Sequence, residues 1–227
     1  MNKFNYFLKR SLDIFLVILT LVLGWWLYLL TALIIKLTSP GPIFYKARRM
    51  GKDGKEFLLY KFRSMRVDSG KVRVITLNND DRVFPFGKFI RKTKIDELPQ
   101  LFNIIKGDMS IVGPRPEDAD VIQNRFDNEY NEIYKALPGL TSPASLYDYT
   151  HGELYESQED YVNEFMPLKL KMEVYYVNNS SFFYDISIIF KTAYIIILKT
   201  FGKKVFKEPN ESKIISQMTE KNEKELV

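Results

Sequence analysis

The sequence contains no cysteine and one histidine, His151. The first absence excludes disulfides, Cys-ligated zinc and thiol nucleophiles. The second leaves little for imidazole chemistry: His151 stands alone before Gly152 and reads as a loop residue rather than a general base. No serine or cysteine triad can be assembled. Negative charge is also in short supply, with 28 Asp and Glu against 33 Lys and Arg, so the formal net charge is +5. That balance suits anionic partners, meaning lipid headgroups, phosphates or nucleic acid, without choosing between them. No internal repeat is present.

What is there begins with a stretch that lacks charge altogether. Residues 14–35 (IFLVILTLVLGWWLYLLTALII) are long enough to cross a ~30 Å hydrocarbon core, and too long for the ~7–15 residue apolar region of a cleaved signal peptide. The segment is expected to stay in the mature protein. Both of its flanks are basic, with Lys3, Lys9 and Arg10 before it and Lys36, Lys46, Arg48 and Arg49 after it. A straight spanning helix exports one cluster against the positive-inside rule, whereas a re-entrant pair that enters and leaves on the cytoplasmic side keeps both in place. Gly24 is a weak point for a helix, and Trp25-Trp26 favours an interface over a bilayer centre. An ordinary single-pass anchor is the alternative.

At 227 residues the chain suits one sizeable core with this segment attached. After the turn cluster at 38–42, residues 43–49 (IFYKARR) and 56–65 (EFLLYKFRSM) flank Asp53-Gly54 and predict a β-hairpin. It is rich in cations, among them Lys46, Arg48, Arg49, Lys61, Arg63 and Arg66. Residues 69–82 read as a mobile loop. Leu98, Leu101, Phe102 and Ile105 recur at helical spacing, with Lys106 in the last turn and Gly107 as the cap. Pro99 fits a first turn, although Thr93 and Asp96 can also cap an earlier start. The stretch 107–117 (GDMSIVGPRPE) holds Arg115 in a loop with few conformations, which suits bidentate phosphate recognition. Helices are expected at 117–135 and 153–166, the latter ended by Pro167, with a second rigid loop at 138–143. Residues 182–201 predict a helix lying in the membrane interface, a buried core helix being the other reading. Residues 208–227 are charge-rich and expected to be disordered.

The adjacent carboxylates Asp96 and Glu97 fall at the N-terminal end of the 98–105 helix. Acidic residues are favoured there by the helix dipole alone, but the unpaired N–H groups also help receive a phosphate. If the hairpin, Arg91, Arg115 and this helix end converge, the site unites cations with two carboxylates. One carboxylate can attack phosphorus, and its neighbour can hold Mg²⁺ through oxygen.

Taken together, KFRSM (61–65), RKTKIDELPQLFNIIKGDMSIVGPRPE (91–117), PGLT (138–141) and VYYVNNSSFFYDISIIFKT (174–192) resemble the bacterial sugar transferase family, the monotopic phosphoglycosyl transferases that start glycan assembly on a polyprenol carrier. The resemblance implies that Asp96 attacks the β-phosphate of a UDP-sugar, releasing UMP, and that undecaprenyl phosphate then takes the phosphosugar. It implies that Glu97, with Asp96, binds Mg²⁺, and that Lys61, Arg63, Arg91 and Arg115 neutralise the substrate phosphates. It also implies a re-entrant helix, an active site on the cytoplasmic face of the bacterial inner membrane, and no nucleic-acid partner. Nothing matches the additional N-terminal membrane domain of larger members, so the minimal catalytic form is expected.

The chain departs from the family pattern in four places. Trp25-Trp26 replaces a Ser-Pro helix break; Ser142-Pro-Ala-Ser-Leu146 replaces Gly-Trp-Ala-Gln after PGLT; Leu137 replaces an arginine; Glu173 stands where aspartate is common. The expected fold is therefore α+β and mostly helical. It comprises a membrane-inserted, re-entrant helix (1–37), a catalytic domain with a small hairpin and amphipathic interface helices (38–205), and a charged, disordered tail (206–227). Two other readings make distinct predictions: a spanning transferase without a covalent intermediate, and a non-enzymatic basic adaptor on anionic lipid for which Asp96 is dispensable.

Overall fold

A helix of 36 residues, α1 (Lys3–Thr38), opens the chain and runs through Gly24, Trp25 and Trp26 as one element. The computed structural model describes residues 3–67, 81–116, 128–152, 155 and 158–225. Among these, α1 is the helix long and apolar enough to cross a membrane. One face of it is buried, and it packs on the rest of the protein near both ends. Lys9 and Asp13 are buried near its start, Val17 meets Leu59, Leu101, Ile104 and Met109, and Ile35 meets Phe62, Phe84 and Ile90. Tyr28 Oη donates to the Leu98 carbonyl at 2.6 Å. The opposite face leaves Phe4, Phe15, Val22, Trp25, Leu29 and Leu37 exposed.

The predicted hairpin is present. Strands β1 (Phe44–Met50) and β2 (Glu56–Phe62) pair antiparallel, with Ala47 opposite Leu59 and Phe44 opposite Phe62. Asp53 takes a left-handed φ of 57° in the connecting turn, a conformation that Asp tolerates better than most residues. The two rigid loops expected at 107–117 and 138–143 turn out to contain a second sheet. Here β3 (Ser110–Val112) and β4 (Gly139–Thr141) pair in parallel. Glycine is required at the junction, because a Cβ at Gly139 would lie 2.1 Å from the Gly113 nitrogen and one at Gly113 would lie 2.3 Å from the Leu137 carbonyl oxygen. Three-residue strands are too short for a period-two pattern to reveal.

The short helices α2 (Pro85–Lys92) and α3 (Gln100–Lys106) carry the chain between the two sheets, and Gly107 ends α3 with a left-handed φ of 91°. Helix α4 (Pro143–His151) follows β4, so His151 closes a helix rather than lying in a loop. Pro167 does not end a helix either. A π-helical stretch, Tyr161–Phe165, leads into α5 (Met166–Asn179), and Pro167 occupies the first turn of α5, where its missing N–H costs little. The apolar C-terminal stretch forms α6 (Phe182–Thr200). It buries Asp185 and Ile188 and exposes Phe183, Phe190, Tyr194 and Ile197, so one face packs and the other does not.

The segment expected to be a disordered tail is described as a helix, α7 (Asn210–Glu225). Ile215 supplies the reason: it is buried in a cluster with Tyr147, Phe165 and Leu170, while Glu211 accepts a hydrogen bond from Tyr184 Oη at 2.7 Å. The loop expected at 69–82 lies outside the described residues except for Asp81 and Arg82. Of the helix expected at 117–135, residues 128–135 form a 3₁₀ helix, and 117–127 are outside them. Of the helix expected at 153–166, residues 153, 154, 156 and 157 are likewise outside.

Candidate active site

The acidic pair is positioned by an unusual backbone. After α2, Lys94 adopts a left-handed conformation with φ 59° and ψ 15° and starts a 3₁₀ turn, Ile95–Glu97. For a residue with a Cβ this costs about 1 kcal/mol, and the sharp turn directs both carboxylates inward. Asp96 is 6% exposed and Glu97 7%. The helix that follows is held on two sides. Asn103, fully buried, donates from Nδ2 to the Leu58 carbonyl at 2.7 Å and accepts from the Tyr60 amide at 3.1 Å. Arg10 of α1 reaches the Ile104 and Met109 carbonyls at 2.5 and 3.2 Å, satisfying acceptors at the C-terminal end of α3. Asn103 thereby fixes α3 against β2, the strand that carries Lys61.

Glu97 is the centre of a cluster of cations. Its Oε1 lies 3.1 Å from Lys61 Nζ, 3.3 Å from Arg115 Nη2 and 3.6 Å from Lys94 Nζ. Burial works against the ionised Glu97, but Lys61, Lys94 and Arg115 overcome it and hold its carboxyl well below the usual carboxylate range. Asp96 is the opposite case. Burial pushes its carboxyl up and the Glu97 charge adds to this, against Lys61, Lys94 and Arg91. Its Oδ1 is buried and has no hydrogen-bond partner among the described residues. Burial also pulls the Lys61 ammonium down, in spite of Glu97. The turn thus presents one carboxylate whose Oε1 is shared by three cations and one with a buried oxygen that lacks a hydrogen-bond partner.

Of the residues predicted from sequence, Asp96, Glu97, Lys61 and Arg115 come together, and Arg91 lies within reach of the Asp96 charge. Arg115 is set in place through its backbone. Its amide donates to Glu173 Oε1 at 3.0 Å, and Ser142 Oγ donates to the same oxygen at 2.8 Å, so Glu173 ties the Arg115 loop to the start of α4. Lys94 was missed by sequence reasoning, because lysine carries no signal for a left-handed turn.

Arg63 differs from the expectation that it binds substrate phosphate. Its guanidinium is turned toward the end of α1, donating from Nε to the Pro42 carbonyl (2.6 Å), from Nη1 to Ser39 Oγ (2.9 Å) and the Pro40 carbonyl (2.8 Å), and from Nη2 to the Ser39 carbonyl (2.6 Å). The side chain is buried, and it fixes the turn that joins α1 to β1. Hydrogen bonds from a charged donor are worth about 1.5–3 kcal/mol each. Arg63→Lys, which cannot reproduce the fork, is expected to lower the thermal midpoint of the detergent-solubilised protein by roughly 5 °C. An unchanged thermal midpoint would contradict this structural role.

Among the described residues no group of three or more His, Cys, Asp or Glu gathers. A divalent cation here therefore depends on two carboxylates. That set fits Mg²⁺, which keeps several waters and is commonly held by one or two carboxylates together with substrate phosphates. Asp96 Oδ1, buried without a hydrogen-bond partner, is one protein oxygen that could serve it.

The sequence pattern of the family described as bacterial sugar transferase matches residues 4–199. The chain belongs to the bacterial sugar transferase family. It is 38% identical over 195 residues to the UDP-N-acetylgalactosamine-undecaprenyl-phosphate N-acetylgalactosaminephosphotransferase of Aeromonas hydrophila, an overlap of 84% of this chain and 44% of that one. It is 37% identical over 195 residues to the UDP-glucose:undecaprenyl-phosphate glucose-1-phosphate transferase of Escherichia coli (strain K12), covering 84% and 40%. It is 36% identical over 192 residues to the exopolysaccharide production protein PSS of Rhizobium leguminosarum bv. phaseoli, covering 82% and 92%. The chain thus spans less than half the length of the first two. As a family member, it places the Asp96-Glu97 turn, Lys61 and Arg115 inside the matched region.

Proposed function

We propose that the protein is a membrane-bound phosphoglycosyl transferase that moves a sugar-1-phosphate from a UDP-sugar to undecaprenyl phosphate through an aspartyl-phosphosugar intermediate, as an early membrane step of bacterial glycan assembly. The observation that carries this reading is the division of labour in the acidic turn. Glu97 is neutralised by three cations, whereas Asp96 keeps a buried oxygen with no hydrogen-bond partner. A carboxylate poorly solvated by its surroundings is a better nucleophile than one in water.

In the first step an Asp96 oxygen attacks the β-phosphorus of the donor. The bond to the bridging oxygen breaks, and UMP departs with that bond's electron pair. Lys61, Lys94 and Arg115 lie where charge develops on the diphosphate and stabilise it electrostatically. In the second step a phosphate oxygen of the carrier attacks the same phosphorus, and Asp96 leaves as a carboxylate. Bound Mg²⁺, held by Glu97 and Asp96, would neutralise diphosphate oxygens and relieve the repulsion between the two carboxylates.

The reading includes a re-entrant placement of α1 on the cytoplasmic face of the inner membrane, which the basic residues on both flanks of its apolar run support. Lys9 and Ile35, near its two ends, both pack on the same body. A helix crossing the whole bilayer would have to carry one of those contacts away from that body. The exposed faces of α1 and α6 then enter the lipid.

Relatives at 38% and 37% identity are named for different sugars, so the test uses a panel of UDP-sugars with detergent-solubilised protein, Mg²⁺ and undecaprenyl phosphate. UMP release that depends on the carrier, from one donor or a narrow set, is the expected outcome. No UMP from any donor, with protein of normal thermal midpoint, would overturn the reading.

A further inference from the structure

Tyr149, in the part of α4 that follows the departure from the family pattern at 142–146, has two cations against its ring. Lys94 Nζ lies 4.6 Å from the centroid of its ring and Lys199 Nζ lies 4.2 Å from the same centroid. Lys199 also donates a hydrogen bond to the Tyr149 carbonyl, and Tyr149 Oη donates to the Lys92 carbonyl at 2.5 Å. One aromatic residue therefore clasps the end of α2, the left-handed Lys94 and the last turn of α6.

Bringing two ammonium groups to one ring is unfavourable between the cations themselves, and the ring quadrupole offsets only part of that. The arrangement is suited to an anion carrying more than one charge. Its position selects the anion further. Lys94 is also one of the three cations around Glu97 Oε1, so this pair of cations adjoins the acidic turn. Lys199 closes a helix whose exposed residues, Phe190, Tyr194 and Ile197, with Phe201 just after it, present an apolar face. A lipid lying on that face with its head at the C-terminal end of α6 would bring that head to Lys199, which Tyr149 links to Lys94 and so to the acidic turn.

We infer that Lys199 and Tyr149, with Lys94, receive the terminal phosphate of the lipid acceptor, a phosphomonoester, and hold it beside Asp96. The inference rests on the proposed transferase reaction and adds the residues that select its second substrate. A phosphomonoester carries up to two charges for the two ammonium groups, whereas the phosphodiester of an ordinary phospholipid carries one. Lys199 contacts the phosphate directly, and Tyr149 is a positioning residue that acts through the two lysines.

The test measures KM for undecaprenyl phosphate and for the UDP-sugar separately, with full-length protein in nanodiscs. Lys199→Ala is expected to raise KM for the lipid acceptor about tenfold, with KM for the donor moving less than twofold. Lys199→Arg is expected to restore most of the loss. Tyr149→Leu should act in the same direction, and its thermal midpoint reports whether it folds. Parallel shifts in both KM values, no shift in either, or an effect that follows the phosphatidylglycerol content of the nanodisc rather than the acceptor would each overturn the inference. Absence of UMP release from the unsubstituted protein would instead overturn the transferase reading itself.

Discussion

Asp96→Asn lowers UMP release by a factor on the order of 10³ or more, and the protein that loses activity keeps or gains thermal stability. The two halves of this expectation have one cause. Asparagine fills the same volume, so packing in the turn is preserved, but its amide cannot attack phosphorus. Asp96 is buried beside a second carboxylate, and Oδ1 has no hydrogen bond to lose. Removing its charge relieves the repulsion from Glu97, which keeps Lys61, Lys94 and Arg115. Stability held in reserve against function is the ordinary mark of an active site. Steady-state UMP release and the thermal midpoint, measured on the same preparation, check both halves. A variant that loses stability along with activity would make Asp96 a structural residue.

Lys9→Met carries the largest expected loss of stability. Lys9 Nζ lies 2.5 Å from Asp185 Oδ2 and 2.7 Å from the Val112 carbonyl, and Tyr176 Oη donates to Asp185 Oδ1 at 2.7 Å. Asp185 is buried, so removing the ammonium strands a carboxylate away from water. Breaking one side of a buried pair costs about 3–5 kcal/mol, which corresponds to a fall of roughly 10 °C in the thermal midpoint for a chain of this size. Val112 precedes the loop that holds Arg115, and activity should fall as well. Adding Asp185→Leu removes the stranded charge and is expected to recover much of the stability, because apolar replacements of buried pairs are often tolerated. If the double variant is no more stable than Lys9→Met, the loss comes from packing rather than from charge.

The elements legible in the sequence were those with local causes. The uncharged run at 14–35 announced α1, Asp53-Gly54 announced the turn of the hairpin, and the spacing of Leu98, Leu101 and Ile105 with Gly107 announced α3. The acidic pair was legible because Asp96 and Glu97 stand just ahead of that helical pattern, although they form a 3₁₀ turn of their own before α3. What could not be read depends on distant chain. The strands β3 and β4 exist because Gly113 and Gly139 permit two backbones to touch, and neither segment alone carries a strand pattern. Asn103 carries no local signal of its role, which is to satisfy the edge of β2. Arg63 sits in a motif rich in cations, and only the folded turn at Ser39–Pro42 reveals that its donors are taken. The order in the tail follows from Ile215 finding an apolar cluster made by α4 and α5.

The measurement closest to the central claim is the mass of the intact protein after incubation with the UDP-sugar that supports turnover, Mg²⁺ and no lipid acceptor. A gain equal to one sugar-phosphate, located on Asp96 by peptide analysis and discharged when undecaprenyl phosphate is added, is the predicted result. An unmodified protein that nevertheless turns over rapidly once the acceptor is present would contradict it, and would mean that the carrier phosphate attacks the donor directly.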